Sequence, residues 1–256
     1  MWTPASSINR MFYNLGFFAK TLKGVVFFAR NSQASFRILI MQILFTFVYA
    51  LGISTLLALA IGAAVNIIGL PFLSMLNQQS LIYTLLIIII TRELGPLLTA
   101  FIVIARSATA IATEIAGMVI SHEVEAYVSI GVDPIEHLAV PRFLGVTISM
   151  VLLNIYFSVF GLAGSYIITQ IFSSTPMDYY FTSLLQHLSI YDLILSIIKS
   201  IAFGTIISIG ALIHGFSVER ASTEVPVAGL KAVSGAFALC IVVNVILSVL
   251  YYVVLQ

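Results

Sequence analysis

No charged residue occurs between Ile38 and Ile90. A single helix over that stretch would be roughly 80 Å long, against a bilayer hydrocarbon core of about 30 Å. The stretch therefore has to turn back on itself once. Turn-forming residues stand where a reversal is needed: Asn66, Gly69 and Pro71, then Asn77, Gln78, Gln79 and Ser80. This predicts a first span over 38–64 and a second over 81–105. Charged residues make up only 8% of the chain, about a third of the roughly 25% usual in soluble domains. So few charges could not cover the surface of a water-soluble fold, which excludes that class. A single cysteine, Cys240, excludes a disulfide framework and a Cys-rich metal site. A net charge of +1 without a basic tail argues against nucleic-acid binding.

Three further spans follow by the same reasoning. Phe143 to Met177 is uncharged and reads as a span over 143–170, closed by Ser173, Ser174, Thr175 and Pro176. Leu193 to Phe216 is interrupted only by Lys199, and Ala232 to Leu255 ends with Tyr251 and Tyr252 placed like an interfacial aromatic belt. Five is odd, so the termini lie on opposite sides. Residues 1–37 carry Arg10, Lys20, Lys23, Arg30 and Arg37 and no acid, Arg106 and Arg142 flank the connection between spans two and three, and Arg220 and Lys231 flank the last one. The connections near 66–80 and 171–190 hold no Lys or Arg. The positive-inside rule then places the N-terminus in the cytoplasm and the C-terminus outside.

Basic residues punctuate the first 35 positions, unlike a cleaved signal peptide. Ile8, Met11, Phe12, Leu15, Ala19, Leu22 and Val26 share one helical face, with Lys20 and Lys23 off it. The spacing predicts a helix over 1–35 lying in the inner interface, or an ordinary flanking anchor. The expected fold is an all-α integral membrane protein, with this helix and five transmembrane helices forming a single domain over 1–256.

The connection between spans two and three carries Glu114, Glu123, Glu125, Asp133 and Glu136. Ile120, Val124, Tyr127, Val128 and Gly131 form one helical stripe, with Glu123 and Glu125 pointing elsewhere. Ser121 reads as its N-cap and Gly131 as its left-handed stop. Asp133-Pro134-Ile135-Glu136 reads as a new start, with Asp as N-cap, Pro in the first helical position and Glu completing a capping box. A short amphipathic helix between two tight breaks suits either a docking element for a soluble partner or a well-capped connector.

Arg92, Glu93 and Lys199 lie inside apolar spans, where each is costly if it faces lipid. Glu93 and Lys199 are expected to pair, with Arg92 pointing about 100° away around the helix. Gly95-Pro96 should kink the second span. These charges could line a polar cavity or lock two helices together. Glu114 is expected to cap locally or to pair with Arg106. The four histidines, His122, His137, His187 and His214, are far apart, and no HExxH, GxxxxGK[ST] or GxSxG pattern occurs. The sequence thus gives no support for catalysis, for a bound metal or cofactor, or for P-loop ATP hydrolysis by this chain.

RELGPLLTAFIVIARSATAIATEIAGM, VEAYVSIGVDPIEHLAVPRF and IIKSIAFGTIISIGALIHGF together resemble the MlaE-type permeases of MCE-associated ABC lipid transporters. The shared pattern is Arg-Glu-Leu-Gly-Pro, a small-residue stretch with Thr-Glu-Ile, then Val-Asp-Pro and Pro-Arg. It is specific over roughly 90–145 and fair over 197–216. Gly62-Ala63-Ala64 and the 217–231 loop depart from it.

The resemblance implies a homodimeric permease in a bacterial inner membrane. A separate cytoplasmic P-loop ATPase would dock on a coupling helix near 120–131, with Glu123, Glu125, Tyr127, Val128 and Asp133 as contact residues, and a periplasmic MCE-type protein would stand over the outer face. It also implies a phospholipid cavity, with Arg92, Glu93 and Lys199 near the headgroup and Leu57, Leu97 and Phe101 as apolar walls. Two other classes remain open at this point. One is an ion-coupled secondary transporter or channel that uses Glu93 and Lys199 as a relay; the other is a structural scaffold for a membrane complex.

Overall fold

A computed structural model describes residues 4–28, 33–172, 175–219 and 221–255. Every regular element among them is a helix. Five are long and apolar enough to cross a membrane: Ser35–Met75, Leu81–Ile120, Ile135–Ile171, Ile190–Phe216 and Glu224–Val253. They are preceded by the helix Pro4–Phe27. The class and the span count match the sequence expectation. Arg30, Ser173, Ser174 and Arg220, and the side chains of Ile8, Arg10, Met11 and Phe12, lie outside the described residues.

The spans run longer than expected. The first continues past Asn66, Gly69 and Pro71, all of which sit inside the helix, and stops at Met75. Asn66 uses its side-chain N–H groups without a turn, donating to the Ser165 carbonyl and to Thr169 Oγ1 (2.9 Å). Pro71 is tolerated as prolines in membrane helices are, where neighbouring groups re-satisfy the freed carbonyl. The reversal comes instead at Asn77, in the left-handed conformation (φ 55°) that asparagine tolerates better than most residues. The second span runs on to Ile120, the third starts at Ile135 and the fifth at Glu224. What read as a cytoplasmic connection over 106–142 is therefore largely helical extension.

The chain packs as two compact units, each taking a segment of all five spans. The first unit comprises Met1–Thr46, Ile104–Ile148 and Gly204–Ala238. In it the N-terminal helix buries Phe17 and Thr21, with Phe17 stacked at 5.8 Å on Phe216. Leu15, Ala19, Leu22 and Val26, the described part of the expected apolar stripe, are exposed. An exposed apolar stripe beside a polar face is what a helix in the membrane interface presents.

The second unit comprises Phe47–Val103, Ser149–Phe203 and Leu239–Gln256. Its core gathers Ala58, Leu73, Ile82, Tyr83, Leu86, Ile90, Phe157, Tyr180 and Leu184. Lipid chains are as apolar as leucine, so helices here associate through close packing at small residues. Gly62 shows it: a Cβ there would come within 2.2 Å of the Gly161 carbonyl oxygen. The connection after the third span, read from sequence as a polar turn, contains a helix, Met177–His187. Tyr180 on it is fully buried, hydrogen-bonded to Ser165 and packed against Tyr83 and Tyr166.

Candidate functional site

The charged residues of the second unit converge. Glu93 and Lys199 pair as the sequence predicts, with Lys199 Nζ 2.8 Å from Glu93 Oε2. Lys199 is completely buried, and its ammonium donates three hydrogen bonds: to Glu93 Oε2, to Ser248 Oγ (2.8 Å) and to the carbonyl of Arg92 (3.1 Å). The third bond follows from the sequence. Pro96 has no N–H to offer the carbonyl four residues before it, which is that of Arg92. The fourth span thus supplies a donor that the second span lacks. Residues Ile87–Leu94 form a π-helical stretch leading into this proline, a geometry often found at functional sites.

Arg92, expected to point away from the pair, belongs to the same network. Its guanidinium donates to Asp192 Oδ1 (3.5 Å) and to the Tyr252 hydroxyl. It lies 5.1 and 4.8 Å from the ring centroids of Tyr251 and Tyr252, within cation–π range. The Tyr251 hydroxyl donates to Asp192 Oδ1 (3.1 Å), and the Ser248 hydroxyl to Glu93 Oε2 (2.8 Å). Two cations and two carboxylates leave the cluster neutral. Among the described residues, two buried atoms in it have no hydrogen-bond partner, Arg92 Nε and Glu93 Oε1. They face each other at 3.6 Å.

Asp192, Ser248, Tyr251 and Tyr252 were not singled out as partners from the sequence. Asp192 stands seven residues before Lys199, on the same helical face, and that was the available signal. The tyrosines had been read as a lipid-interface belt, and one of them, Tyr252, is indeed 40% exposed.

The expected apolar wall is more dispersed. Leu57 is half-buried against the core of the unit. Leu97 and Phe101 are half-buried on one face of the second span.

In the first unit, the connection between spans two and three forms the helix Glu123–Ser129, none of whose residues is buried. Glu123 and Glu125 are exposed and Val128 is 61% exposed, while Val124 and Tyr127 are half-buried, Tyr127 against the His137 ring at 5.2 Å. The expected stripe is therefore split, with Val128 turned outward.

Ser121 is not the N-cap. His122 holds that position in a left-handed conformation (φ 60°). The Ser121 hydroxyl instead donates to the Glu123 carboxylate (3.0 Å), and His122 Nδ1 lies 2.9 Å from Glu125 Oε2.

The C-terminal stop is as expected. Gly131 has φ 80°, its N–H donates to the Val128 carbonyl, and the Val132 N–H donates to that of Tyr127. This is the paired Schellman arrangement. Asp133 caps the next helix by accepting the Ile135 N–H (2.9 Å) and forms an ion pair with Lys20 of the N-terminal helix. Partial burial pushes the Asp133 carboxyl up, but the Lys20 ammonium and the backbone N–H groups of Ile135 and Glu136 outweigh it and hold the carboxyl below its ordinary value. Glu114 pairs with Arg142 at 2.8 Å rather than with Arg106, because the helical extension of the second span carries it alongside the start of the third.

A family model described as permease MlaE matches residues 39–250. The chain belongs to the MlaE permease family. A probable ABC transporter permease protein of Rickettsia prowazekii is 30% identical over 218 residues, covering 84% of this chain and 83% of its own length. The intermembrane phospholipid transport system permease protein MlaE of Haemophilus influenzae is 24% identical over 210 residues, 80% of each chain. The chloroplast protein trigalactosyldiacylglycerol 1 of Arabidopsis thaliana is 27% identical over 62% of this chain and 46% of its own length. Membership makes the chain a multi-pass membrane protein and the permease subunit of an ABC transporter.

Proposed function

We propose that this chain, as a single permease domain, is the membrane-spanning half of an ATP-driven machine that moves phospholipids between inner and outer membranes. The reading places it in a bacterial inner membrane with its N-terminus in the cytoplasm. It works as a homodimer with a cytoplasmic P-loop ATPase and a periplasmic MCE-type protein. The observation that carries it is the helix Glu123–Ser129: without a buried residue, acidic, and closed at both ends by left-handed residues between two spans. A water-facing helix held that rigidly suits a partner that pushes on it. Glu123, Glu125 and Val128 present the docking surface, while Tyr127 and Asp133 anchor the helix against His137 and Lys20. A push there bears on the ends of the second and third spans.

In the second unit, a phospholipid headgroup meets the exposed edge of the charged cluster. Tyr252 and the partly exposed side chain of Glu93 are the groups that would greet it, with Lys199 holding Glu93 in place. Leu57, Leu97 and Phe101 receive the chains. The saturation of Lys199 by three acceptors favours this reading over an ion relay, since a relay lysine needs a proton free to leave.

The test is a pull-down of tagged protein from its native membrane, with crosslinking at residues 120–131. Recovery of a P-loop ATPase and an MCE-type protein with enriched phospholipid is the expected result. Absence of any ATPase among the crosslinked products overturns the docking assignment.

A further inference from the structure

A cavity of about 730 Å³ lies wholly within the first unit, apart from the charged cluster. Arg37, Arg142 and Glu114 line one part of it; Ile38, Met41 and Phe45 line another. The volume is in the range of small-molecule sites, roughly 300–1,000 Å³.

Two properties identify its occupant. The first is charge. Arg142 is 4% exposed and donates to Glu114 (2.8 Å) and to the Leu138 carbonyl (3.0 Å). Arg37, by contrast, has no ion-pair partner among the described residues, so the lining carries one net positive charge. The cluster around Arg92 is neutral, so the unbalanced positive charge that calls for an anion lies here. The second is the layout of the wall. Arg37 opens the first span, and Ile38, Met41 and Phe45 follow it down a single helical face for about 12 Å. Met41 and Phe45 are 61% and 43% exposed. A cation at the rim and an apolar strip running into the membrane is the complement of an amphiphile with its anionic group at the surface. Basic pockets between membrane helices commonly hold anionic lipid headgroups.

We propose that this cavity binds the phosphate headgroup and upper chain of an anionic phospholipid drawn from the leaflet next to Arg37. That leaflet is the cytoplasmic one on the orientation given above, although the binding chemistry is independent of it. Arg37 and Arg142 hold the phosphate, Glu114 fixes Arg142, and the chain lies along Met41 and Phe45.

The experiment is native mass spectrometry of the purified full-length chain in detergent, titrated with dioleoyl phosphatidylglycerol or dioleoyl phosphatidylcholine. Phosphatidylglycerol is expected to be retained preferentially. Arg37→Gln at the exposed rim is expected to weaken that retention about tenfold, the size of one charge-assisted contact. Ala110→Phe, which fills the cavity, should weaken it at least as much. Equal retention of the two lipids, or unchanged retention in both variants, overturns the proposal. So does inorganic phosphate displacing the lipid at equal concentration, which would make the site one for a free anion. Efficient disulfide formation between Met41→Cys copies that leaves lipid retention untouched would assign the groove to a second copy instead. No ATPase enters this assay, so its outcome stands apart from that of the pull-down.

Discussion

Lys199 and Glu125 are both charged side chains of a membrane protein, and the structure treats them in opposite ways. Lys199 has no exposed surface and three hydrogen-bond partners drawn from two other spans. Glu125 has a side chain 68% exposed and contacts His122, three residues away. A buried charge left unmatched costs several kcal/mol, so the membrane-embedded cluster is neutral, each of its charges paired with an opposite one. At the exposed helix water meets that cost, and the acids remain available to a partner. Where charges are closed on themselves they hold the fold, and where they are left open they are free for recognition.

The sharpest way to break this contrast is Lys199→Met, which strands the Glu93 carboxylate and the Arg92 carbonyl. A loss of about 3–5 kcal/mol is expected, read as denaturant unfolding in detergent micelles. Glu93→Gln combined with Lys199→Met should cost clearly less than the single change, because the buried charge goes with its partner. If the double variant is as unstable as Lys199→Met alone, the closed-network description fails.

Gly161→Leu probes packing in the same unit without touching charge. A side chain there meets Ile90 and the carbonyl of Ala58, and a loss of about 1–3 kcal/mol is expected by the same unfolding measurement.

Asp133 stands between the two extremes, half-buried and paired with Lys20. Its folded carboxyl titrates below the ordinary 3.8. Its contribution is therefore fully present above that value and is lost as pH falls through the lower folded one. With a third of the carboxylate exposed, it amounts to about 1 kcal/mol or less. Asp133→Asn should flatten that part of the acid-unfolding curve by lowering neutral-pH stability by up to that amount, with little difference left in acid.

Glu123→Lys with Glu125→Lys should shift stability by less than about 0.5 kcal/mol while abolishing co-purification of the ATPase. Undiminished association would show that these open charges are not used for recognition.

Span number, helical class and the Glu93–Lys199 pair were legible because hydropathy and the cost of burying charge act on the local chain. Gly131 and Asp133-Pro134 were legible for the same reason, since turn and cap chemistry is encoded within a few residues. The ends of the spans were not. Asn66 and Pro71 carry turn chemistry, yet Ser165 and Thr169 supply partners from about a hundred residues away. Glu114 found Arg142 rather than Arg106 through the same kind of tertiary placement. The helix Met177–His187 was hidden because a short amphipathic segment bearing Asp178, Gln186 and His187 resembles a loop until Tyr180 and Leu184 are seen to be buried.

The bond from Lys199 to the Arg92 carbonyl also bears on biogenesis. The donor that completes the second span is made 107 residues after its acceptor. When that span first leaves the ribosome, Asp192 and Lys199, which pair with its Arg92 and Glu93, have not yet been synthesised. Its settled place in the bilayer becomes available only once the fourth helix arrives, so membrane integration of this chain is a joint event of non-adjacent segments rather than a procession of independent ones.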